Sequence, residues 1–224
     1  MKVYLIRHGA TKGNLEHRYV GRTEEALLPE AEKALLALKK RLEMRYLKEN
    51  GVEERTAKEA SGGNAAQGKN GCRKWHLFVS PMLRCRQSAE ILFPGKGQTV
   101  VDDFRECDFG EFEYKNYEEL NGNANYQRFL DSMGEAPFPG GENKKEFSER
   151  CSRAFEKEIR KLLLEEKEAF LVVHGGTIMA VLDRFSEPHR DYYDWQIRNG
   201  EGFQAEVREE PGSGEIRLKE IRRI

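Results

Sequence analysis

The sequence lacks the features of membrane, secreted and nucleic-acid-binding proteins. No apolar run approaches the ~20 residues that a membrane-spanning helix needs. Basic and acidic residues nearly cancel, 38 against 39, so no charge excess favours nucleic acid or an anionic membrane surface. We therefore expect a small-molecule ligand, with neither nucleic acid nor membrane among the partners.

Cysteine is also scarce. The 4 cysteines are Cys72, Cys85, Cys107 and Cys151, and they show neither C-x-x-C spacing nor a histidine–cysteine cluster at zinc-ligand intervals. This pattern is typical of free thiols in a reducing compartment. Met1 leads almost directly into an apolar strand pattern, without the apolar core of a signal peptide. We expect a cytoplasmic protein that needs no metal ion and no cofactor.

Apolar patterning alternates between period-two and helical spacing. The predicted strands cover residues 2–6, 75–79, 100–104, 170–173, 202–208 and 215–221, the last two as a hairpin. The predicted helices cover residues 28–46, 80–92, 147–162 and 177–185. This alternation predicts a single α/β domain over residues 1–224: a three-layer α/β/α sandwich with a mostly parallel central sheet and helices on both faces. Residues 50–73, rich in Gly, Ala, Asn, Lys and Glu, are predicted to form a flexible surface insertion.

Two histidines each follow a predicted strand and precede glycine. His8 lies between Arg7 and Gly9, and His174 precedes two glycines. Ligands of open α/β sheets bind beyond the carboxyl ends of the strands, so this pair favours a site over a structural role. Arginine suits phosphate oxygens, and a neutral histidine can attack phosphorus. The pattern predicts a phosphoryl pocket.

A further arginine is expected at a helix start. Ser80 and Pro81 form a typical N-cap and first helical position. Arg84 would lie one turn into that helix, so its guanidinium could reach the helix N-terminus, which favours anions. Arg84 is therefore a second candidate cation for the same pocket.

Four ordered motifs resemble the signature of the histidine phosphatase (phosphoglycerate-mutase-like) superfamily. They run from Leu5 to Thr11 with Asn14 beyond, from Val79 to Ala89, from Phe104 to Gly110 and from Val172 to Gly176. A bare Arg-His-Gly string is weak, but the ordered set is specific and spans about residues 2–180.

The resemblance implies a catalytic set. His8 would be the nucleophile that becomes phosphorylated, and Glu106 would donate a proton to the leaving oxygen. Arg7, Arg84 and His174 would bind the phosphoryl oxygens.

The resemblance also implies substrate-binding residues, which are Asn14, Gly21, Arg22 and Gly175. Asn14 could instead cap a turn. Glu106 could instead be a surface carboxylate, and three nearby acidic residues compete for its role: Asp108, Glu111 and Glu113. Residues 23–29 depart from the family pattern, since they lack the aspartate before a Pro-Leu pair and the following glycine of many members.

The resemblance implies a metal-independent phosphomonoesterase that hydrolyses a small phosphorylated metabolite through a phosphohistidine. Residues 126–130 and 137–142 resemble the branch that includes α-ribazole phosphatase, an enzyme of cobalamin synthesis. Tyr126, Phe129 and Phe138 could face a heterocycle there, or only pack a lid on the core.

Three alternatives to this interpretation remain. They are a phosphoglycerate mutase, a sugar-phosphate phosphatase and a non-catalytic module that binds a phosphorylated ligand. Residues 111–142 are compact and acidic, which favours hydrolysis over the mutase reaction. A monomer or a homodimer is expected.

Overall fold

Six strands form one mixed sheet in the computed structural model, which describes residues 1–49, 75–165 and 167–224. The strands are β1 (Lys2–Arg7), β2 (Trp75–Val79), β3 (Thr99–Val100), β4 (Glu168–Val173), β5 (Gly202–Glu209) and β6 (Ile216–Arg223). Their order across the sheet is β3-β2-β4-β1-β5-β6. Strands β3, β2, β4 and β1 run parallel, and β5 and β6 join antiparallel as the predicted hairpin. The predicted insertion at residues 50–73 lies outside the described residues.

Helices cover both faces of this sheet. They are α1 (Lys12–Leu15), α2 (Pro29–Glu49), α3 (Leu83–Leu92), α4 (Ala124–Asp131), α5 (Lys144–Leu164) and α6 (Gly175–Phe185). Successive side chains of a strand point to opposite faces. Val3 and Leu5 accordingly pack in one apolar cluster with α5 and α6, whereas Tyr4 and Ile6 pack with α2 and α3. This arrangement confirms the predicted three-layer α/β class.

The register of the two central strands brings the predicted site together. β1 and β4 are adjacent and parallel, with Arg7 opposite Val173. The next residue on each strand is a histidine, and the His8 N–H donates to the Val173 carbonyl at 3.0 Å. His8 and His174 are therefore neighbours at the carboxyl edge of the sheet.

A third apolar cluster is formed by residues between positions 107 and 151 together with Ala180 of α6. Phe112 and Phe138 form its centre, with ring centroids 5.7 Å apart, and Phe147 of α5 joins it. Two short 3₁₀ helices, Asp102–Phe104 and Gly110–Phe112, flank the segment that carries Glu106. The aromatic cluster thus anchors a connecting segment beside the end of the sheet.

The start of α3 and the extent of β3 differ from the prediction. Helix α3 begins at Leu83, not at Ser80 and Pro81, and its N-cap Met82 makes no side-chain capping bond. The reason is a long-range contact: the Ser80 hydroxyl lies 2.7 Å from a nitrogen of His174 instead. The predicted strand at 100–104 is also too long, because Asp102–Phe104 turns into a 3₁₀ helix that buries Phe104.

Among the described residues, no helix combines the length and apolarity that crossing a membrane requires. Cys85, Cys107 and Cys151 are buried free thiols.

The core predicts a clear stability difference between two positions on α5. Phe155 is 0% exposed and packs on Phe185 with ring centroids 5.3 Å apart, whereas Leu164 is 88% exposed. Phe155→Ala should lower the free energy of unfolding by about 3–5 kcal/mol, because it removes a fully buried ring and leaves a cavity. Leu164→Ala should change it by less than about 0.5 kcal/mol. Urea titration measures both, and equal effects would contradict this description of the core.

Candidate active site

Two buried imidazoles form the centre of the site. His8 and His174 are 3% and 0% exposed, and their ring centroids lie 5.2 Å apart in an edge-on arrangement. His8 Nδ1 lies 2.7 Å from the Gly9 carbonyl oxygen. A carbonyl can only accept, so Nδ1 carries the proton and His8 Nε2 keeps a free lone pair. His8 is thereby held in the tautomer that a histidine nucleophile needs.

Two guanidiniums lie at this centre, that of Arg84 fully buried and that of Arg7 partly buried. Arg84 is 0% exposed, and its terminal nitrogens donate to the carbonyls of Val20, Gly21 and Thr23. Arg7 donates to the Ile197 carbonyl at 2.6 Å. Among the described residues, Arg7 Nε and Arg84 Nε are buried donors without a hydrogen-bond partner. Buried donors are normally satisfied, so these two are available to an anion.

Glu106 lies next to the second imidazole. Its Oε2 is 3.9 Å from His174 Nδ1, and its Oε1 accepts from the Cys107 N–H at 3.0 Å. Gly176 permits this approach, because a Cβ there would lie 2.7 Å from Glu106 Oε1. Gly175 similarly lets Arg7 lie close, with Arg7 Nε 3.3 Å from the place of a Cβ.

An ion pair that sequence reasoning missed holds the segment around Glu106. Arg150 of α5 donates to both carboxylate oxygens of Glu142 at 2.8 and 2.7 Å. The same guanidinium donates to the carbonyls of Asp103, Arg105 and Glu106. Nothing in the local sequence pattern separates Arg150 from the exposed charges of an amphipathic helix.

Burial sets the charge states of the site. It lowers the pKa of both His8 and His174 well below the ordinary value, and the neighbouring Arg84 and Arg7 lower it further. Burial also raises the pKa of the Glu106 carboxyl, although the Cys107 N–H and both arginines favour its charged form. Two neutral imidazoles therefore lie beside a carboxyl that retains a proton more readily than usual.

Two of the three competing carboxylates accept hydrogen bonds elsewhere, and the third is exposed. Glu113 accepts from the N–H groups of Gly21 and Thr23, and Asp108 accepts from the Gly110 N–H. Glu111 is exposed. Of the four acidic candidates, Glu106 lies beside His174.

The predicted substrate-binding residues differ in their placement. Asn14 closes the capping box of α1: its Oδ1 accepts from the N–H of the N-cap residue Thr11. The same oxygen also accepts from Asn199, which in turn donates to the His8 carbonyl. The N–H of Gly21 is taken by Glu113 and its carbonyl by Arg84, so Gly21 is held as a structural contact.

Arg22 lies at the surface. Its side chain is 63% exposed and is 3.6 Å from Asp108. The structure therefore brings Asn14 and Gly175 to the histidine centre, whereas Arg22 lies outside it.

A cavity of about 500 Å³ opens beside this centre. Arg7, Glu106 and Gly175 line it on the side of the histidines. Aromatic rings line much of the rest: Tyr19, Phe109, Phe129, Phe138, Phe147, Tyr192 and Tyr193. Of the three aromatics singled out in the sequence, Phe129 and Phe138 line the cavity, whereas Tyr126 packs on Phe112 with ring centroids 5.6 Å apart.

One further cation lines the cavity. Lys144, at the start of α5, lies about 5 Å from the ring centroids of Tyr192 and Tyr193. Its ammonium donates to Glu135 at 2.7 Å, so its charge is paired. In the described part of the chain, no group of three or more His, Cys, Asp or Glu residues could hold a metal ion.

The chain is similar to known proteins along most of its length. The family model of the histidine phosphatase superfamily (branch 1) matches residues 3–50 and 64–215. The interruption falls within the predicted insertion. The probable phosphoglycerate mutase GpmB of Escherichia coli O1:K1 is 27% identical over 179 residues, which cover 78% of this chain and 70% of that protein.

Solved structures share the fold. The α-ribazole phosphatase from Shigella flexneri superposes with a TM-score of 0.70 at 17% identity, covering 98% of this chain and 95% of that chain. A phosphoglycerate mutase from Thermus thermophilus gives a TM-score of 0.59 at 25% identity, covering 92% of this chain and 93% of that chain.

The buried neutral state of His8 predicts a pH dependence of stability. Its pKa is below 6.5 in the folded chain, so below pH 6.5 the unfolded chain binds a proton that the folded chain resists. The free energy of unfolding contributed by His8 is therefore present above pH 6.5 and is lost as pH falls towards the folded pKa. When the pH is lowered from about 7.5 to about 5.5, the free energy of unfolding of His8→Asn should fall by about 1 kcal/mol less than that of the wild type.

Urea midpoints at the two pH values measure this difference. His189→Asn is the matched control, because the His189 side chain is 62% exposed when folded. A loss in His8→Asn equal to that of the wild type and the control would show that His8 is not buried in its neutral form.

Proposed function

The chain belongs to the histidine phosphatase superfamily, branch 1, and is a phosphoryl-transfer enzyme; from this we propose that it is a phosphomonoesterase acting on a small phosphorylated metabolite. This proposal is supported by a histidine nucleophile and a carboxylic acid that lie next to buried hydrogen-bond donors. His8 Nε2 has a free lone pair, and Glu106 lies at the wall shared with the cavity.

The first step forms a bond between His8 Nε2 and phosphorus. The bond from phosphorus to the ester oxygen breaks, and that oxygen takes the proton of Glu106. The free Nε donors of Arg7 and Arg84 stabilise the phosphoryl oxygens as charge develops. The backbone N–H groups at the N-terminus of α6, which begins at Gly175, carry partial positive charge and add to this stabilisation.

The second step regenerates the enzyme. The Glu106 carboxylate takes a proton from water, and the water oxygen bonds to phosphorus as the bond from phosphorus to His8 Nε2 breaks. Phosphate leaves, and Glu106 is again protonated. The raised pKa of Glu106 favours this return to the acid form.

Hydrolysis is favoured over mutase chemistry by the walls of the cavity. A mutase for phosphoglycerate must hold a second anionic group beside the phosphoryl site. Of the two cations that line the cavity, Arg7 belongs to the phosphoryl centre and Lys144 is paired with Glu135. The compact segment 111–142 supports the same choice.

The substrate that fits best carries an aromatic or heterocyclic leaving group. Aromatic rings line the cavity beside Glu106, and ring stacking favours a flat, uncharged partner. We propose α-ribazole 5′-phosphate, an intermediate of cobalamin synthesis, as the substrate. The similarity in fold to an α-ribazole phosphatase is consistent with this choice. A phosphosugar would leave most of these rings unused.

We also propose that the chain forms one catalytic domain over residues 1–224, works in the cytoplasm as a monomer or homodimer, and needs no metal ion or other cofactor. Its partner would be the small phosphorylated metabolite alone, without nucleic acid or membrane.

Replacement of the proposed acid should affect poor leaving groups selectively. Glu106→Gln should reduce kcat on an alkyl phosphate by roughly 10²–10⁴-fold, because the alkoxide then leaves without a proton. It should reduce kcat on p-nitrophenyl phosphate far less, since nitrophenolate is stable. Steady-state kinetics on both substrates measures the difference.

The matched control is Glu111→Gln, which makes the same change of carboxyl to amide at an exposed position nearby. It should leave both rates unchanged. Equal losses on the two substrates in Glu106→Gln would remove Glu106 from the role of acid.

The aromatic cavity predicts a substrate preference. α-Ribazole 5′-phosphate should give a higher kcat/KM than fructose bisphosphates or 3-phosphoglycerate. Phe129→Leu keeps the apolar volume but removes a ring from the cavity, so it should lower kcat/KM for the heterocyclic substrate roughly 3–10-fold. Phe93→Leu, on the opposite face of the sheet, serves as control. A flat profile, or a preference for a sugar phosphate, would overturn the substrate assignment and leave the reaction class intact.

A further inference from the structure

The Ser80 hydroxyl is bonded to the second histidine. Ser80 follows β2, is 0% exposed, and places its Oγ 2.7 Å from His174 Nε2. Its N–H donates at 3.1 Å to the carbonyl of Val172, which lies two residues before His174 on the adjacent strand β4. The hydroxyl is therefore held in place beside the imidazole by the pairing of the sheet.

The position of the His174 proton decides whether Ser80 or His174 is the donor in this hydrogen bond. Burial and the nearby arginines keep the imidazole neutral, so it carries a single proton on one of its two nitrogens. If the proton is on Nε2, the ring donates to Ser80 and has a free lone pair on Nδ1. If it is on Nδ1, the ring accepts from Ser80 and donates towards Glu106, whose Oε2 is 3.9 Å away.

The partners of Ser80 favour the second arrangement. The Met82 N–H already donates to Ser80 Oγ at 3.4 Å, so this oxygen acts as an acceptor there. Among the described residues, the Ser80 hydroxyl has two neighbours that can take its proton, His174 Nε2 at 2.7 Å and the thiol of Cys85. The imidazole nitrogen is the better acceptor, because a thiol sulfur accepts only weakly. Cys85 Sγ also lies 3.6 Å from Nε2 and 3.8 Å from Nδ1 of His174.

We propose that Ser80 is a positioning residue that fixes His174 as the Nδ1–H tautomer and so makes His174 a donor and His8 the nucleophile. The two imidazoles are otherwise alike in burial and in their glycine neighbours. His8 bonds through Nδ1 to the Gly9 carbonyl and keeps the Nε2 lone pair free. His174 has its Nε2 lone pair occupied by Ser80 and its proton on Nδ1, so neither nitrogen can attack phosphorus.

The kinetic consequence rests on the proposed function. The Nδ1–H of His174 points to the side where Glu106 meets the cavity, and a phosphoryl oxygen bound between the arginines would accept from it. Loss of the Ser80 hydroxyl lets the proton move to Nε2, so this donor becomes a lone pair that repels the oxygen. Turnover then falls although every group that touches the substrate is still present.

The direct test is long-range proton–nitrogen NMR on the resting protein, labelled at histidine nitrogen. The wild type should show His174 protonated at Nδ1, with Nε2 as a hydrogen-bonded acceptor. In Ser80→Ala the His174 signals should change towards the Nε2–H tautomer, while those of His8 stay the same. A wild-type His174 protonated at Nε2 would overturn the proposal. This readout needs no turnover, so it is independent of whether the chain proves to be a phosphatase.

Steady-state kinetics of serine variants provide a second test. Ser80→Ala should lower kcat on the order of tenfold with little change in KM, as expected for one lost hydrogen bond in the transition state. Ser80→Thr keeps the hydroxyl and should restore both the tautomer and most of kcat. Ser152→Ala, which removes another buried serine hydroxyl that bonds to the Ala180 carbonyl, should leave kcat unchanged. If the two alanine variants lose the same fraction of kcat, or His174 keeps its tautomer in Ser80→Ala, the positioning role is wrong. The wild-type spectrum decides the tautomer even if Ser80→Thr does not fold.

Discussion

The site depends on holding two buried, uncharged imidazoles next to each other and close to two guanidiniums. The parallel pairing of β1 and β4 enforces this, because Arg7 lies opposite Val173 and each strand ends in a histidine. Burial and positive charge then disfavour a second proton on either ring. A neutral histidine at the edge of a parallel sheet can act as a nucleophile, and the same positive charge is ready for a phosphoryl dianion. The parallel pairing of β1 and β4 is therefore the constraint on which both the fold at this edge and the chemistry depend.

Hydrogen bonds to groups outside the substrate space hold each site residue. Arg84 is fixed by backbone carbonyls of the loop at residues 20–23, and Glu106 sits on a segment held by Arg150. The terminal nitrogens of Arg84 are therefore committed to the fold, whereas its Nε is left for a ligand. Such a site is built before substrate arrives, which suits catalysis by fixed donors.

Much of the fold could be predicted from sequence because the apolar periods were strong. Strand β2 and the end of α3 at Leu92 match the prediction, and the closing hairpin pairs as expected. The start of α3 could not be predicted, because a serine followed by proline has the same local pattern whether it caps a helix or binds a distant histidine. Only the register of β2 beside β4 decides between these uses of Ser80.

For the site, too, features set by local patterns could be predicted, whereas contacts between distant segments could not. His8, Arg7, Arg84, Glu106 and His174 lie close together. Two of them, His8 and His174, directly follow strands that could be predicted from the sequence. The contact of Gly21 with Glu113 and that of Asn14 with Asn199 could not be predicted, because each joins residues far apart in the chain. The cavity likewise joins Tyr19, Phe129 and Tyr193 from three separate segments. Long-range packing of this kind leaves no local period.

The central claim, that His8 is the phosphorylated nucleophile, is tested most directly by trapping the intermediate. The protein is mixed with substrate labelled in the phosphoryl group, turnover is quenched in base, and the labelled residue is located by peptide mapping. The label should be acid-labile and base-stable, should map to His8, and should be absent from His8→Ala. Label that maps to His174 or to any other residue, or label that persists in His8→Ala, would contradict the assignment.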